Sequence, residues 1–318
     1  MISHPLQCLK QFCVSSVALG AWLLASSAVA DSSELPKGHF LLPEEGNMVG
    51  QVYTVTATEE DTLLDIARAH NVGYEEIRMA NPDTSLWVPG EGTEVTIPGQ
   101  YILPDETRSG IVINVAELRL YYYPEVAEGE TPRVETYPIG IGRDAYNTPL
   151  GITETTMRLE NPAWYPPESI RREAAEQGDP APAVVPPGAD NPLGEYAILL
   201  DIPGYLIHGT NQPDGIGMRA SRGCIRMHPE DIESVFWRVP VGTQVNIIDS
   251  PIKVGWGEEG NRYIQAFTAT DEQVFGMETL LNVVGLIEKH DGGNASSVNY
   301  EQVSEILERA NGQIVPIS

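Results

Sequence analysis

The 318-residue chain is short of cysteine, of positive charge and of long apolar stretches. Nineteen Lys and Arg stand against forty-five Asp and Glu, a formal charge of −26. Such a surface repels phosphate backbones and anionic lipid headgroups, which excludes nucleic acid as the partner class. An apolar share of 42% suffices for packed cores but not for a polytopic membrane protein. The scarce cysteines and scattered histidines lack the paired spacing of a zinc site, so no zinc site is expected. The length makes two domains, or one domain with appendages.

The first thirty residues differ in kind. They hold no acid and one base, Lys10, and an apolar run from Phe12 to Leu24 leads into Ala28-Val29-Ala30 just before Asp31. The run falls short of the roughly 20 apolar residues of a helical span, and it reads as a cleavable signal peptide over residues 1–30, with an uncleaved anchor as the alternative. Cleavage removes Cys8 and Cys13 and leaves Cys224 as the one thiol of an exported chain, which rules out an internal disulfide. A lone thiol in an oxidising compartment is an oxidation liability, expected where thiolate chemistry is needed or where the group is deeply buried.

Residues 51–98 form a first unit. Tyr53-Thr54-Val55 reads as a strand, Asp61 to Ala67 as an amphipathic helix with Asp61 at its N-cap, Tyr74 to Met79 as a second helix ending at Asn81-Pro82, and Val95 to Pro98 as a closing strand. This order and these residues resemble the LysM module, which implies binding to N-acetylglucosamine chains of peptidoglycan. Where that family has a short Pro-Gly-Asp approach to the first helix, this chain has Ala57-Thr58-Glu59-Glu60-Asp61. A degenerate module that only spaces or packs is the alternative.

After a connector over Gly99 to Arg108 the period becomes two. Strands are expected at Ile111–Val115, Leu118–Tyr123, Val134–Ile141, Ile152–Leu159, Tyr196–Leu200, Tyr205–Ile207 and Val245–Ile248, which favours a mainly β fold, a sandwich or curled sheet, over a parallel α/β sheet. Residues 161–194 break the rhythm with eight prolines and one helix expected at Glu168–Gln177. A long loop in a compact domain that carries Trp164 and Tyr165 is expected to be a lid or wall over a binding cleft. Beyond residue 250, a mixed C-terminal extension holds strand candidates within Lys253 to Phe267 and helices at Asp271 to Lys289 and Tyr300 to Ala310, read as a packing appendage.

The chemistry lies between His208 and Arg226. A thiol nucleophile needs a base, and His208, sixteen residues before Cys224 at the end of a strand, can return to it across a glycine-rich loop. Imidazole beside a thiol favours the thiolate–imidazolium pair, and Arg222 and Arg226 add positive potential. The amides of Gly223 and Cys224 are candidate oxyanion donors, an effect of about 3 kcal/mol per donor in acyl transfer. Ser221 reads as a local hydrogen-bonder shaping the loop. His228, followed by Pro229 and two acids, reads as a helix cap.

His208-Gly209-Thr210-Asn211 followed by Ser221-Arg222-Gly223-Cys224-Ile225-Arg226-Met227 resembles the signature of the YkuD family of L,D-transpeptidases, in its ErfK/YbiS/YcfS/YnhG branch, over about residues 109–249. The resemblance implies Cys224 as nucleophile, His208 as general acid and base, and the Gly209 carbonyl as the group that orients the imidazole. Where many members carry His immediately before the Gly-Cys pair, this chain has Arg222, which leaves proton transfer to His208 alone. Arg226 reads as a clamp for a substrate carboxylate, with Arg222, Ser221, Trp164 and Tyr165 as further substrate contacts.

The implied reaction is attack on the third residue of a peptidoglycan tetrapeptide stem, loss of D-Ala and transfer of the acyl group to an amine of another stem or of a Braun-type lipoprotein, in the periplasm. Acylation of the Cys by carbapenems is implied as well. L,D-carboxypeptidase activity, release of wall-linked lipoprotein and a non-catalytic wall-binding protein are the alternatives.

Overall fold

The structure, a computed structural model, describes residues 35–143, 147–257, 261–268, 275–291 and 298–317. The expected signal peptide over residues 1–30 lies outside them.

Three short strands open the described chain: β1 (His39–Leu41), β2 (Met48–Gly50) and β3 (Tyr53–Thr56). Helices α1 (Leu63–Ala69) and α2 (Tyr74–Ala80) follow, then β4 (Glu94–Ile97) and β5 (Gln100–Ile102). Strands β3 and β4 pair antiparallel, and Leu63, Ile66, Ile77, Val95 and Ile97 close a small core between them and the helices. Helix α1 starts one residue later than expected. Thr62 is its N-cap, in a reciprocal capping box with Asp65, whereas Asp61 turns back to accept from the amide and hydroxyl of Thr58, both at 2.7 Å. The connector Gly99 to Arg108 is also more ordered than its composition suggested, since β5 pairs with β2.

The central sheet takes β6 (Gly110–Asn114), β7 (Arg119–Tyr123), β8 (Arg133–Pro138), β10 (Gly151–Glu160), β11 (Tyr196–Leu200), β12 (Leu206–His208), β14 (Ile225–Arg226) and β15 (Gln244–Ile248). A separate two-stranded pair joins β9 (Ile141–Gly142) to β13 (Arg219–Ser221) in parallel. Among the described residues the sheet has nine strands in the order β1-β8-β7-β6-β15-β10-β11-β12-β14. Its first strand, β1, precedes the β-α-α-β unit in the chain, so that unit is inserted into the sheet's sequence rather than appended before it.

Strands β6 and β7 are buried almost throughout because both faces of the sheet are covered. Ile111, Ile113 and Leu120 face α4 (Pro229–Arg238), which contributes Ile232, Val235 and Phe236. Val112, Tyr121 and Tyr123 face Val49, Tyr101 and Leu103 on the other side. Helix α4 opens at His228-Pro229 with Glu230 and Asp231 in its first turn, as the acids after a proline at N1 favour. The proline-rich segment carries α3 (Glu168–Glu176), none of whose residues is buried.

Strands β16 (Ile252–Trp256), β17 (Arg262–Ala266) and β18 (Val315–Pro316) pack with α5 (Met277–Asp291) and α6 (Tyr300–Arg309) around Val254, Ile264, Val283, Val303 and Leu307. The Lys253 ammonium is buried against Glu117 and donates to the Ile102 carbonyl at 2.8 Å.

The inserted unit is fastened to the sheet through polar contacts. The Arg119 guanidinium, fully buried, meets Glu76 at 2.6 Å, Thr136 Oγ1 at 2.9 Å and the Asn71 carbonyl at 3.1 Å. Removing one partner strands a buried charge. Arg119→Met is therefore expected to cost about 3 kcal/mol, seen as a lower urea midpoint at unchanged slope; a loss below about 1 kcal/mol would mean the pair does not hold the two parts together.

Candidate active site

Strand pairing brings the signature residues together. β12 and β14 run in parallel with Ile207 opposite Ile225 and His208 opposite Arg226, so Cys224, one residue before Ile225, falls level with Leu206. Alternation along a strand then puts Leu206, His208, Cys224 and Arg226 on one face. Strand spacing and rise place His208 and Cys224 as diagonal neighbours with Cα atoms roughly 8 Å apart. All four line one cavity of about 540 Å³. The sixteen-residue separation is spent on a loop that includes the turn Pro213–Gly215 and strand β13.

The imidazole is fully buried, and its Nδ1 lies 2.6 Å from the Gly209 carbonyl. A carbonyl only accepts, so Nδ1 carries the proton and Nε2 keeps its lone pair. Burial first, and then the Arg226 guanidinium, push the His208 pKa down to about 4. Burial also raises the Cys224 thiol above its ordinary value, against smaller opposing effects from the Leu206 amide and Arg226. Its Sγ faces the Gly204 carbonyl at 3.5 Å. Burial thus works against the charged form of each group, and so against the thiolate–imidazolium pair expected from the sequence.

Ser221 acts as the loop residue it was expected to be. Its hydroxyl donates to the Cys224 carbonyl at 2.7 Å and accepts from the Gly223 amide at 3.1 Å. That second bond corrects one expectation: the Gly223 N–H is already committed to Ser221 and does not face the cavity as an oxyanion donor. The Cys224 amide remains the candidate.

Arg226 is half-buried at the cavity wall, and its Nε finds no acceptor among the described residues. Arg222 also lines the cavity, but its guanidinium meets Glu173 of α3 at 2.5 Å. It ties the proline-rich segment to the Cys loop.

That segment is ordered into a wall. Trp164 and Val185 exchange backbone hydrogen bonds at 2.9 and 2.8 Å, and Trp164, Tyr165 and Ile170 line the cavity, with Tyr165 69% exposed at its rim.

Three supporting residues were legible in the sequence only as members of turns. Asn191 is fully buried; its amide donates to the Pro162 carbonyl at 2.8 Å and its oxygen accepts from Leu193 at 2.9 Å. This pins the wall to a turn whose Pro192 and Leu193 line the cavity beside His208. Gly194 in that turn has φ +69°, and a Cβ there would come within 2.9 Å of the Thr210 amide. Thr148 donates to the Gly223 carbonyl at 2.9 Å, bracing the Cys loop from the far side. The only sequence signals were turn-type residues, Asn-Pro-Leu-Gly and Thr-Pro-Leu-Gly.

No group of three or more His, Cys, Asp or Glu among the described residues is arranged to hold a metal ion. No helix among them is long and apolar enough to cross a membrane.

Residues 108–247 match the L,D-transpeptidase catalytic domain of the YkuD family. A probable L,D-transpeptidase ErfK/SrfK of Escherichia coli is 43% identical over 239 residues, covering 74% of this chain and 76% of that protein. The protein of that name from Salmonella typhimurium is 38% identical over 303 residues, 93% of this chain and 94% of the relative. A probable L,D-transpeptidase YcfS of Escherichia coli is 38% identical over 92% of this chain and 90% of its own length. With identity at this level extending beyond the catalytic domain to nearly full length, the chain belongs to the YkuD family of L,D-transpeptidases.

Proposed function

We propose that the protein is a cysteine-dependent peptidoglycan L,D-transpeptidase of the periplasm, delivered by cleavage of residues 1–30. The observation that carries this reading is the shared cavity. Cys224, a Gly209-oriented His208 and Arg226 face one space walled by Trp164 and Tyr165.

The chemistry follows from the resting state. As a tetrapeptide stem fills the cavity, Nε2 of His208 takes the thiol proton while Sγ bonds to the carbonyl carbon of the stem's third residue. The carbonyl oxygen becomes an oxyanion that the Cys224 amide can stabilise. The C–N bond to D-Ala breaks, and the leaving amine takes the proton back from His208. An incoming amine then gives a proton to His208 as it attacks the thioester, and the expelled Cys224 sulfur takes that proton back, restoring the thiol and the neutral imidazole. Because the charges exist only while a substrate occupies the cavity, the free thiol is less exposed to oxidation than a standing thiolate would be.

Arg226 is the carboxylate clamp. Its Nε lacks an acceptor among the described residues and it lies on the same face as Cys224 and His208. Arg222, held by Glu173, positions the wall and contacts substrate only secondarily. The β-α-α-β unit over residues 51–98 is the LysM-like wall-binding module. No cofactor takes part.

The acceptor decides between transfer and hydrolysis. With disaccharide tetrapeptide as sole substrate, D-Ala release is expected by mass spectrometry; adding a peptide that ends in lysine, as a Braun-type lipoprotein does, is expected to yield the lysine-linked muropeptide. Tripeptide as the only product in both mixtures would replace transfer by carboxypeptidase action. No D-Ala in either mixture would overturn the enzymatic reading.

A further inference from the structure

Two arginines at the cavity wall share one carboxylate, and the chain itself supplies it. Strands β9 and β13 run in parallel with Gly142 opposite Ser221, so Arg143 and Arg222, the next residue after each, stand side by side. The Arg143 amide fixes this by donating to the Ser221 carbonyl at 3.0 Å. Paired strands lie roughly 4.8 Å apart, which brings two guanidinium groups within reach of a single anion. Both arginines line the cavity that holds Cys224 and His208. Glu173 of α3 occupies the position between them: its Oε2 meets Arg222 at 2.5 Å and its Oε1 lies 3.8 Å from Arg143.

Glu173 is placed to be exchanged. No residue of α3 is buried, so no apolar packing opposes a shift of the helix. The Glu173 and Arg222 side chains keep 35% and 27% of their surface exposed, and ion pairs open to water to that degree are weak. The cavity is lined by Arg143, Arg222 and Arg226 and by no acid among the described residues, in a chain of formal charge −26. This local reversal of sign exceeds what one substrate carboxylate needs.

We propose that Arg143 and Arg222 form a second carboxylate subsite, for an internal carboxylate of the peptide stem, and that Glu173 occupies it until the stem takes its place. The subsite presupposes the stem substrate proposed above. Arg226, on the face of Cys224 and His208, serves one carboxylate; the planar donor sets of Arg143 and Arg222 serve another. Stems carry internal carboxylates on the second residue and, where the third is a diamino diacid, on its side chain. Exchange of one carboxylate for another keeps the charge at the arginine pair balanced and frees α3 from the Cys loop. Because Glu173 is tethered, it competes at a high effective concentration and lowers the apparent affinity for the stem. A stem whose internal carboxylate is an amide cannot displace it, so the pair selects for stems with that acid free.

The test is calorimetric titration of the Cys224→Ala chain, which binds without turnover, with the disaccharide tetrapeptide and with two analogues amidated at the second residue or on the side chain of the third. One analogue is expected to bind at least about 10-fold more weakly than the acid, the loss of one charge-assisted pair, and its identity names the carboxylate. Arg143→Gln, added to this chain, is expected to weaken the acid stem about 5-fold or more and to leave that analogue unchanged. Glu173→Gln keeps the shape and removes the charge; it is expected to tighten the acid stem about 3-fold or more and to leave that analogue unchanged. A helix that merely braced the wall would shift both stems alike. Equal binding of all three stems, or an acid stem bound no tighter by Glu173→Gln, would overturn the subsite. D-Ala release by the wild-type chain is read separately: release together with equal binding of the three stems would remove the subsite and keep the transpeptidase, while saturable, amide-sensitive binding without release would keep the subsite and remove the transpeptidase.

Discussion

Cys224→Ala is expected to reduce D-Ala release from a disaccharide tetrapeptide by about 10⁴-fold or more, with the fold intact. Removing the nucleophile of a unit that acts together costs nearly all of the unit's contribution, leaving only binding and oxyanion stabilisation. Little structural damage should accompany it, since Cys224 is half-buried at a cavity wall and packs in none of the hydrophobic clusters. Cys224→Ser is expected to be similarly inactive: a hydroxyl holds its proton far more firmly than a thiol, and a neutral His208 with a pKa near 4 is a weak base. Intact-mass spectrometry gives a second readout. The wild-type chain is expected to gain one carbapenem mass and the alanine variant none. An active Cys224→Ala protein would mean that another group attacks the stem.

His208→Ala is expected to lower turnover by about 10²- to 10⁴-fold, the range for a general acid–base residue, and the pH dependence reveals the resting protonation state. With the imidazole held to about 4 by burial and Arg226, the competent neutral base persists down to that pH. The acid limb of kcat/KM is accordingly expected near pH 4, with no inflection between 6 and 7. The alkaline limb lies above the ordinary thiol range, because the Cys224 pKa is raised by burial. A resting ion pair would instead lose activity as His208 deprotonates near neutrality, so a fall in kcat/KM between pH 6 and 8 would contradict the neutral pair.

Stability carries the same signature. The unfolded imidazole binds its proton near 6.5 and the folded one near 4, so between these values the unfolded state holds more protons and stability rises with pH. The stabilisation is fully present above 6.5 and is lost progressively as pH falls toward 4, by about 3 kcal/mol for this one group. Urea midpoints at pH 7, 5.5 and 4 are expected to fall less steeply in His208→Gln than in the wild type, the remaining slope coming from His228, also held down to about 4 by burial, against the opposing contribution of Asp231, pushed up to about 7.

Much of the architecture was legible because period-two runs such as Ile111–Val115 and Leu118–Tyr123 pack apolar groups on both faces and have no other stable home than a covered sheet. The helix at Pro229 was legible for a local reason as well, a proline and two acids at its start. Local chemistry misled where two neighbours competed for one role. Asp61 is a good cap, but Thr62 beside it forms the reciprocal box with Asp65 and leaves Asp61 to Thr58. Asn191 and Thr148 read as turn residues and nothing more. Their importance comes from carbonyls 29 and 75 residues away in the chain, and no local pattern announces those partners.

Residue order alone pointed to the family and to Cys224 and His208 as the proposed reacting pair, because the signature residues follow one another in the order that strands β12 and β14 then bring to one face. It determined the β character of the catalytic domain for the same reason, side-chain alternation being a property of consecutive residues. Only the folded chain shows how burial opposes the charged form of each of the two, since desolvation depends on everything that surrounds a group and not on its neighbours in sequence. It alone decided that Gly223 spends its amide on Ser221.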